Sequence, residues 1–225
     1  MQNLDFTLNS MAIDHTILLA TSYFPPIEYF VRIMGAQKVR IDIHETYARQ
    51  TWRNRCNILT ANGVLSLSIP VEKPLGNHTS TAQVRISDHS SWQKNHWRSI
   101  EAAYRNAPYF LFYRQLAEEF VMSTQYNLLV DLNHAILNAF CEELDVSADI
   151  DFTSGFVQNS AAALDLRFCI SPKNRDRQQY PVPTLAPYYQ TFGDKWGFQP
   201  NLSILDLLFN LGPDTAEYLR KAVHA

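Results

Sequence analysis

The hydrophobic pattern of the chain changes period several times, and each change predicts an element. Ile17 to Ala20 is a short apolar run, followed by a loop closed at Pro25 and Pro26 and then by Ile27, Phe30, Val31 and Met34 at helical spacing. Gly35 ends that helix, and Lys38 to Ile43 returns to a strand pattern. Together they predict a βαβ unit. Strands joined this way run parallel and turn their carboxyl ends toward one crevice, which here collects Thr21, Ser22, Tyr23 and His44.

Alternation then takes over around Asn62-Gly63, a pair that suits the tip of a tight hairpin. Pairing Ala61 with Val64 sets Thr60 opposite Leu65, Ile58 opposite Leu67 and Cys56 opposite Ile69, with one side apolar throughout. Continuing the pleat backward through WRNRC puts Trp52 and Asn54 on the core side. Arg53 and Arg55 then project together from the other face, one strand period apart.

Further along, Ser90 and Gln93 have the spacing of a capping box, and Pro108 closes the helix that follows. Trp92, His96, Ile100 and Ala103 form one stripe of it, and Trp97, Glu101 and Tyr104 the next. Leu129, Leu132, Ile136 and Phe140 predict a packing helix whose solvated stripe carries Asp131, His134, Asn138 and Glu142. In the tail, Ser203 and Asp206 suit the start of a short helix that ends near Gly212-Pro213, and Asp214 or Thr215 starts another. Pro181, Pro183 and Pro187 exclude helix and mark a possible subdivision near 180–187. The reading is an α/β or α+β chain: a mixed sheet begun by a βαβ unit and a hairpin, flanked by helices, with a helical C-terminal part.

Composition narrows the function classes. The 225 residues are 46% hydrophobic, enough for a substantial core, and the net charge of -3 argues against a general nucleic-acid binder. Three widely spaced cysteines, Cys56, Cys141 and Cys169, read as reduced thiols in a cytoplasmic protein. No apolar run approaches the roughly 18 residues of a membrane span, and MQNLDFTLNS lacks the pattern of a secretory signal. Serine-hydrolase elbow, P-loop, dinucleotide-binding glycines and zinc-spaced Cys/His motifs are all missing, so no metal and no cofactor is expected.

Two groups carry candidate chemistry. A fork of Arg53 and Arg55 is shaped to hold phosphate oxygens in two-point contact, and the bland alternative pairs these arginines with carboxylates such as Glu45 or Asp42. His96 is either a core-edge histidine satisfied by a carbonyl or a general acid/base. Asn201, Asn210 and the run Tyr188, Tyr189, Gln190 and Phe192 have no packing role that periodicity explains.

In order along the chain, YFPPIEYF, HETYARQTWRNRCNI, ANG, LSIPV, WQKNHWRSIEAAYRNAPYF, YYQTF and GFQPNLSILDLLFNLGP resemble the WbqC-like protein family. The match runs over nearly the whole chain as one WbqC-like domain, and His44-Glu45 with the Tyr-Tyr-Gln run is similar to a branch common in Bacteroidetes. Where many members carry a glutamine-proline pair, this chain has Thr21-Ser22, which bears on any role of that first loop. The resemblance implies a cytoplasmic protein of O-antigen-like polysaccharide biosynthesis. The implied activity is transfer of glycine or another aminoacyl group to a nucleotide-activated sugar.

On that expectation Arg53, Asn54, Arg55, Tyr23, His44, Arg105, Asn106, Tyr189, Gln190, Asn201 and Asn210 line the substrate cleft, and His96 accepts the proton of an attacking amine. The partner is a small molecule, a nucleotide-sugar, with no nucleic acid and no membrane span. The alternatives are a non-catalytic nucleotide-sugar-binding or assembly protein, and a nucleotidylyltransferase-like enzyme suggested by the first βαβ unit.

Overall fold

The computed structural model describes residues 16–158, 163–172 and 180–225. Strand β1 (Thr16–Ala20), helix α1 (Ile27–Met34) and strand β2 (Lys38–Asp42) form the expected βαβ unit. The two strands pair in parallel with Ile17 opposite Val39 and Ala20 opposite Asp42. Period-2 alternation turns Ile17, Leu19, Val39 and Ile41 into the core, each at most 4% exposed.

The hairpin follows as β3 (Arg55–Thr60) and β4 (Gly63–Ser68), joined by Ala61-Asn62. Its register differs from the sequence expectation by two residues: Cys56 faces Leu67, Ile58 faces Leu65 and Thr60 faces Gly63. The Thr60 side chain is the reason, because its Oγ1 accepts from Asn62 N–H at 3.2 Å and donates to the Gly63 carbonyl at 2.8 Å. Gly63 then takes the positive φ of 98° that a side chain would resist. A shift of two keeps every residue on its expected face, so Cys56, Ile58 and Leu67 stay buried.

The pleat does not continue backward. Trp52–Asn54 winds into a 3-10 turn. Distant groups hold it there: Tyr23 N–H donates to the Trp52 carbonyl at 2.9 Å, and the Asn133 amide donates to the Arg53 carbonyl at 2.8 Å. The turn sends Arg53 inward and leaves Arg55 outside.

Two short strands, β5 (Val71–Glu72) and β6 (Arg85–Ile86), make a small antiparallel ladder. Helices α2 (Trp92–Tyr104), α3 (Phe110–Met122) and α4 (Leu129–Glu143) come next. Ser91, not Ser90, precedes α2, and the expected capping box does not form there. The α4 stripe Leu129, Leu132, Ile136 and Phe140 lies in the core as its spacing predicts, each residue at most 1% exposed.

Strands β7 (Asp149–Phe152) and β8 (Ala163–Asp165) complete a four-stranded sheet of order β7-β2-β1-β8, parallel throughout. The order reverses at β1, with β2 and β7 on one side and β8 on the other. A crevice outside the carboxyl ends of strands belongs at such a reversal.

A single-turn helix α5 (Gly193–Trp196) precedes α6 (Ile204–Leu211) and α7 (Thr215–Val223). Ser203 caps α6 by accepting from Leu205 N–H, and Gly212 closes it at a φ of 55°, where a Cβ would run into the Tyr109 ring. Helix α1 packs against α6 and α7, and it is buried on nearly every side. The 180–187 segment lies across these helices without regular structure: Arg32 donates to the Pro181 carbonyl, and Tyr218 to that of Ala186. None of the three cysteines is in a disulfide, and all are buried.

Candidate functional site

Side chains with charge and without packing duty gather at the carboxyl edge of the parallel sheet. Asp42, the last residue of β2, is fully buried and accepts from Arg167 Nη1. Arg167 also clasps Asp165, through Nε at 3.0 Å and Nη2 at 2.6 Å, in the two-point geometry that suits a guanidinium. The other Asp42 oxygen accepts from His44 N–H at 2.8 Å and from Thr153 Oγ1 at 3.3 Å, and the His44 ring meets the Thr153 carbonyl at 3.0 Å. Glu45 pairs with Arg53 through one oxygen, and its Oε2 is buried without a partner. Burial pushes the Glu45 carboxyl up, against the opposing pull of Arg53.

The edge is roofed by aromatic rings. Phe156 and Phe168 place their ring centres 5.6 Å and 5.7 Å from the Arg167 guanidinium carbon, yet remain 59% and 49% exposed. Between β1 and β8, a cavity of about 10 Å³ is lined by Thr21, Ser22, Arg53 and Arg167. That is room for a single water. A larger ligand at this point has to displace carboxylates from the arginines.

His96 sits elsewhere. It is 5% exposed, its Nδ1 lies 3.1 Å from the Tyr23 hydroxyl, and its ring packs edge-on against Trp92. Burial lowers its pKa to about 4, against a smaller opposing hydrogen bond at the Ser68 backbone, so the imidazole is neutral at pH 7. Tyr23 is fully buried above it.

The remaining sequence-predicted residues separate by environment. Arg53 and His44 come together at the carboxyl edge, and Tyr23 joins His96 in the interior. Asn54 bonds the Ile69 carbonyl at 2.7 Å, and Arg55 reaches only Ser68 Oγ at 3.1 Å. The two arginines therefore do not form a fork. Gln190 and Asn210 belong to a buried network around Asp206, which accepts from Tyr104, Tyr188 and Gln190 while its carbonyl accepts from Asn210. Asn201, at a φ of 56° that asparagine tolerates, bonds both the backbone and the carboxylate of Glu28. Arg105, Asn106 and Tyr189 are exposed, and their side chains make no hydrogen bond among the described residues.

Sequence reasoning missed Arg167, Asp165, Thr153, Phe156 and Phe168. The alternation of ALDLRF from Ala163 to Phe168 is the signal that could have marked a strand delivering Asp165 and Arg167 to an edge. Among the described residues, Glu72, Asp88 and His89 bring metal-ligating atoms within 4.8 Å of one another, but all three lie on the surface. No described helix is long and apolar enough to cross a membrane.

These features define an α/β protein with an ionic crevice at the carboxyl edge of a parallel sheet. The chain belongs to the WbqC-like protein family, whose profile matches residues 21–181. It is also similar to "Uncharacterized protein Rv1507c" of Mycobacterium tuberculosis (strain ATCC 25618 / H37Rv), 29% identical over 223 residues that cover 90% of this chain and 96% of the relative. No solved structure matches.

Proposed function

We propose that the protein binds a nucleotide-activated sugar across the carboxyl edge of the sheet and transfers an aminoacyl group, such as glycyl, to that sugar in surface-polysaccharide assembly. The supporting observation is Arg167, a buried cation held at the strand-order reversal beneath two exposed phenyl rings. A guanidinium bound to carboxylates can exchange them for phosphate oxygens, which have the same two-point geometry. An exposed ring beside it supplies a face on which a nucleobase stacks.

In the transfer step, the amine of the sugar attacks the acyl carbonyl of an activated donor. A carbon–nitrogen bond forms, the donor's leaving group departs with its electron pair, and the amine proton passes to a base. Glu45 suits that role, because its unpaired oxygen and upward-shifted carboxyl lie at the edge itself. His96 would serve only if Tyr23 swung away from it.

A non-catalytic sugar-nucleotide binder is the second reading. It is favoured by the completeness of the ion pairs, Arg53 with Glu45 and Arg167 with Asp42 and Asp165, which leave space for a single water between the arginines.

Calorimetry with a panel of nucleotide-sugars tests binding. Phe168→Ala and Phe156→Ala should each weaken it by about 1 to 3 kcal/mol, with stability held within about 0.5 kcal/mol. Absence of binding by the wild-type protein at millimolar concentration would sink the proposal. Mass spectrometry of sugar products with aminoacyl donors tests transfer. Equal turnover by Glu45→Gln ends its role as base, and intact binding with no product from any donor leaves the non-catalytic reading.

A further inference from the structure

The parallel sheet has a second face, and it is built unlike the first. Alternation that sends Ile17, Leu19, Val39 and Ile41 into the core turns Thr16, Leu18, Lys38 and Arg40 the other way. Over that face the chain leaving β7 passes through Thr153, Ser154, Gly155 and Val157, and a cavity of about 320 Å³ lies between this loop and the strands. Its size falls at the lower end of small-molecule sites.

One of the two cations in the cavity is left without an ion pair among the described residues. Lys38 Nζ is engaged by Asp149 at 2.9 Å and Asp151 at 3.7 Å. Arg40 stands opposite Asp151 in the strand register, yet it forms no hydrogen bond or ion pair among the described residues, although it is half-buried. The Ser154 hydroxyl and the backbone N–H groups of Ser154 and Gly155 are likewise unpartnered among the described residues. A half-buried guanidinium that makes no ion pair, facing exposed hydroxyl and N–H donors across an open cavity, is an arrangement that suits an anion. Leu18, Val157 and Ala163 add an apolar wall.

We infer that this cavity binds a small organic molecule bearing one carboxylate or phosphate group. The anion sits on Arg40 and the loop donors, and the remainder of the molecule lies against Val157 and Ala163. The site adjoins the carboxyl-edge crevice, sharing Thr153 with it, but it is built on Arg40 and not on Arg167, and it stands whether or not nucleotide-sugars bind at the edge.

Nuclear magnetic resonance titration of the full chain tests the inference with three probes: inorganic phosphate, glucose 1-phosphate and benzoate. Binding of glucose 1-phosphate or benzoate should shift the amides of Ser154, Gly155 and Val157, and the two arms separate the phosphate class from the carboxylate class. Arg40→Met keeps the length of the side chain and removes its charge, and it should weaken binding at least about tenfold. Val157→Trp fills the cavity without touching the cation and should weaken the organic probes more than inorganic phosphate. The inference is overturned if no probe binds below about 10 mM, if Arg40→Met binds as the wild type does, or if the shifts cluster at Arg167 and Phe168 instead.

Discussion

The carboxylate of Asp206 and those of Asp42 and Glu45 at the edge of the sheet are all buried, and the two regions satisfy them in opposite ways. Asp206, 1% exposed in the helical part, accepts from three neutral donors: Tyr188 at 2.5 Å, Gln190 at 2.8 Å and Tyr104 at 2.9 Å. Burial pushes its carboxyl up, and those three hydrogen bonds pull it down. At the carboxyl edge of the sheet, Asp42 and Glu45 are as deeply buried but are held by Arg167 and Arg53. There an oxygen of Glu45 is unpaired, and two exposed rings lie over the guanidinium. A carboxylate enclosed by neutral donors fixes a fold and offers nothing to a ligand. One held by an arginine keeps a cation in place that a second anion can claim.

Breaking the two regions should expose that difference. Asp206→Ala strands two tyrosine hydroxyls and an amide in the interior, so it should cost about 3 to 5 kcal/mol in urea denaturation. Arg53→Met leaves Glu45 buried without its cation and should cost about 3 kcal/mol at pH 7. That second cost should shrink at pH 5, because a carboxyl already pushed up by burial escapes its loss by taking a proton. An Arg53→Met cost unchanged between pH 7 and pH 5 would erase the distinction.

The first region was half legible in the sequence. Ser203 as a cap and the helix ending near Gly212 followed from spacing, whereas Gln190 and Asn210 were noticed only as polar residues without a packing role. Their partner, Asp206, is a first-turn acid that the sequence offers as suited to the helix start, not as the centre of a buried network. The edge was less legible. Parallel strands with their ends at one crevice followed from the βαβ pattern, but the Arg167–Asp42 contact joins residues 125 apart in the chain. Arg53 misled for a related reason: a strand period is a local rule, and bonds from Tyr23 and Asn133 replaced the strand with a 3-10 turn. Local chemistry also set the hairpin register, through the single hydroxyl of Thr60.

His96 supplies a pH-dependent contrast of intermediate size. Burial holds its pKa near 4, below the ordinary 6.5. The unfolded chain gains a proton as pH falls through 6.5, while the folded chain gains it only near 4. Stability is therefore lost across that window, levelling at about 3 kcal/mol. Glu45 and Asp206, with carboxyls pushed up, act in the opposite sense and favour the folded state as pH falls. His96→Gln should retain a bond to Tyr23 and remove only the histidine contribution. The difference between wild-type and variant unfolding free energies, followed from pH 7 to pH 4, should then slope in the direction given. A flat difference would mean that the folded imidazole takes its proton at the same pH as the unfolded one, which would reopen it as an acid.

The smallest expected effect falls on the residue beside the one with nearly the largest. Arg55 leaves the 3-10 turn on its outer side, reaches only Ser68 Oγ across the hairpin and has no ion pair among the described residues. Arg55→Ala should change stability by no more than about 0.5 kcal/mol, against about 3 kcal/mol for Arg53→Met two positions away. It should also leave nucleotide-sugar affinity unaltered, since the guanidinium is bonded on the hairpin to Ser68 and to no residue of the edge. If the affinity instead fell as steeply as for Phe168→Ala, the phosphate-binding face would be the hairpin's outer surface, and the buried arginines of the edge would revert to the standing of Asp206: polar groups that hold the fold together and meet no ligand.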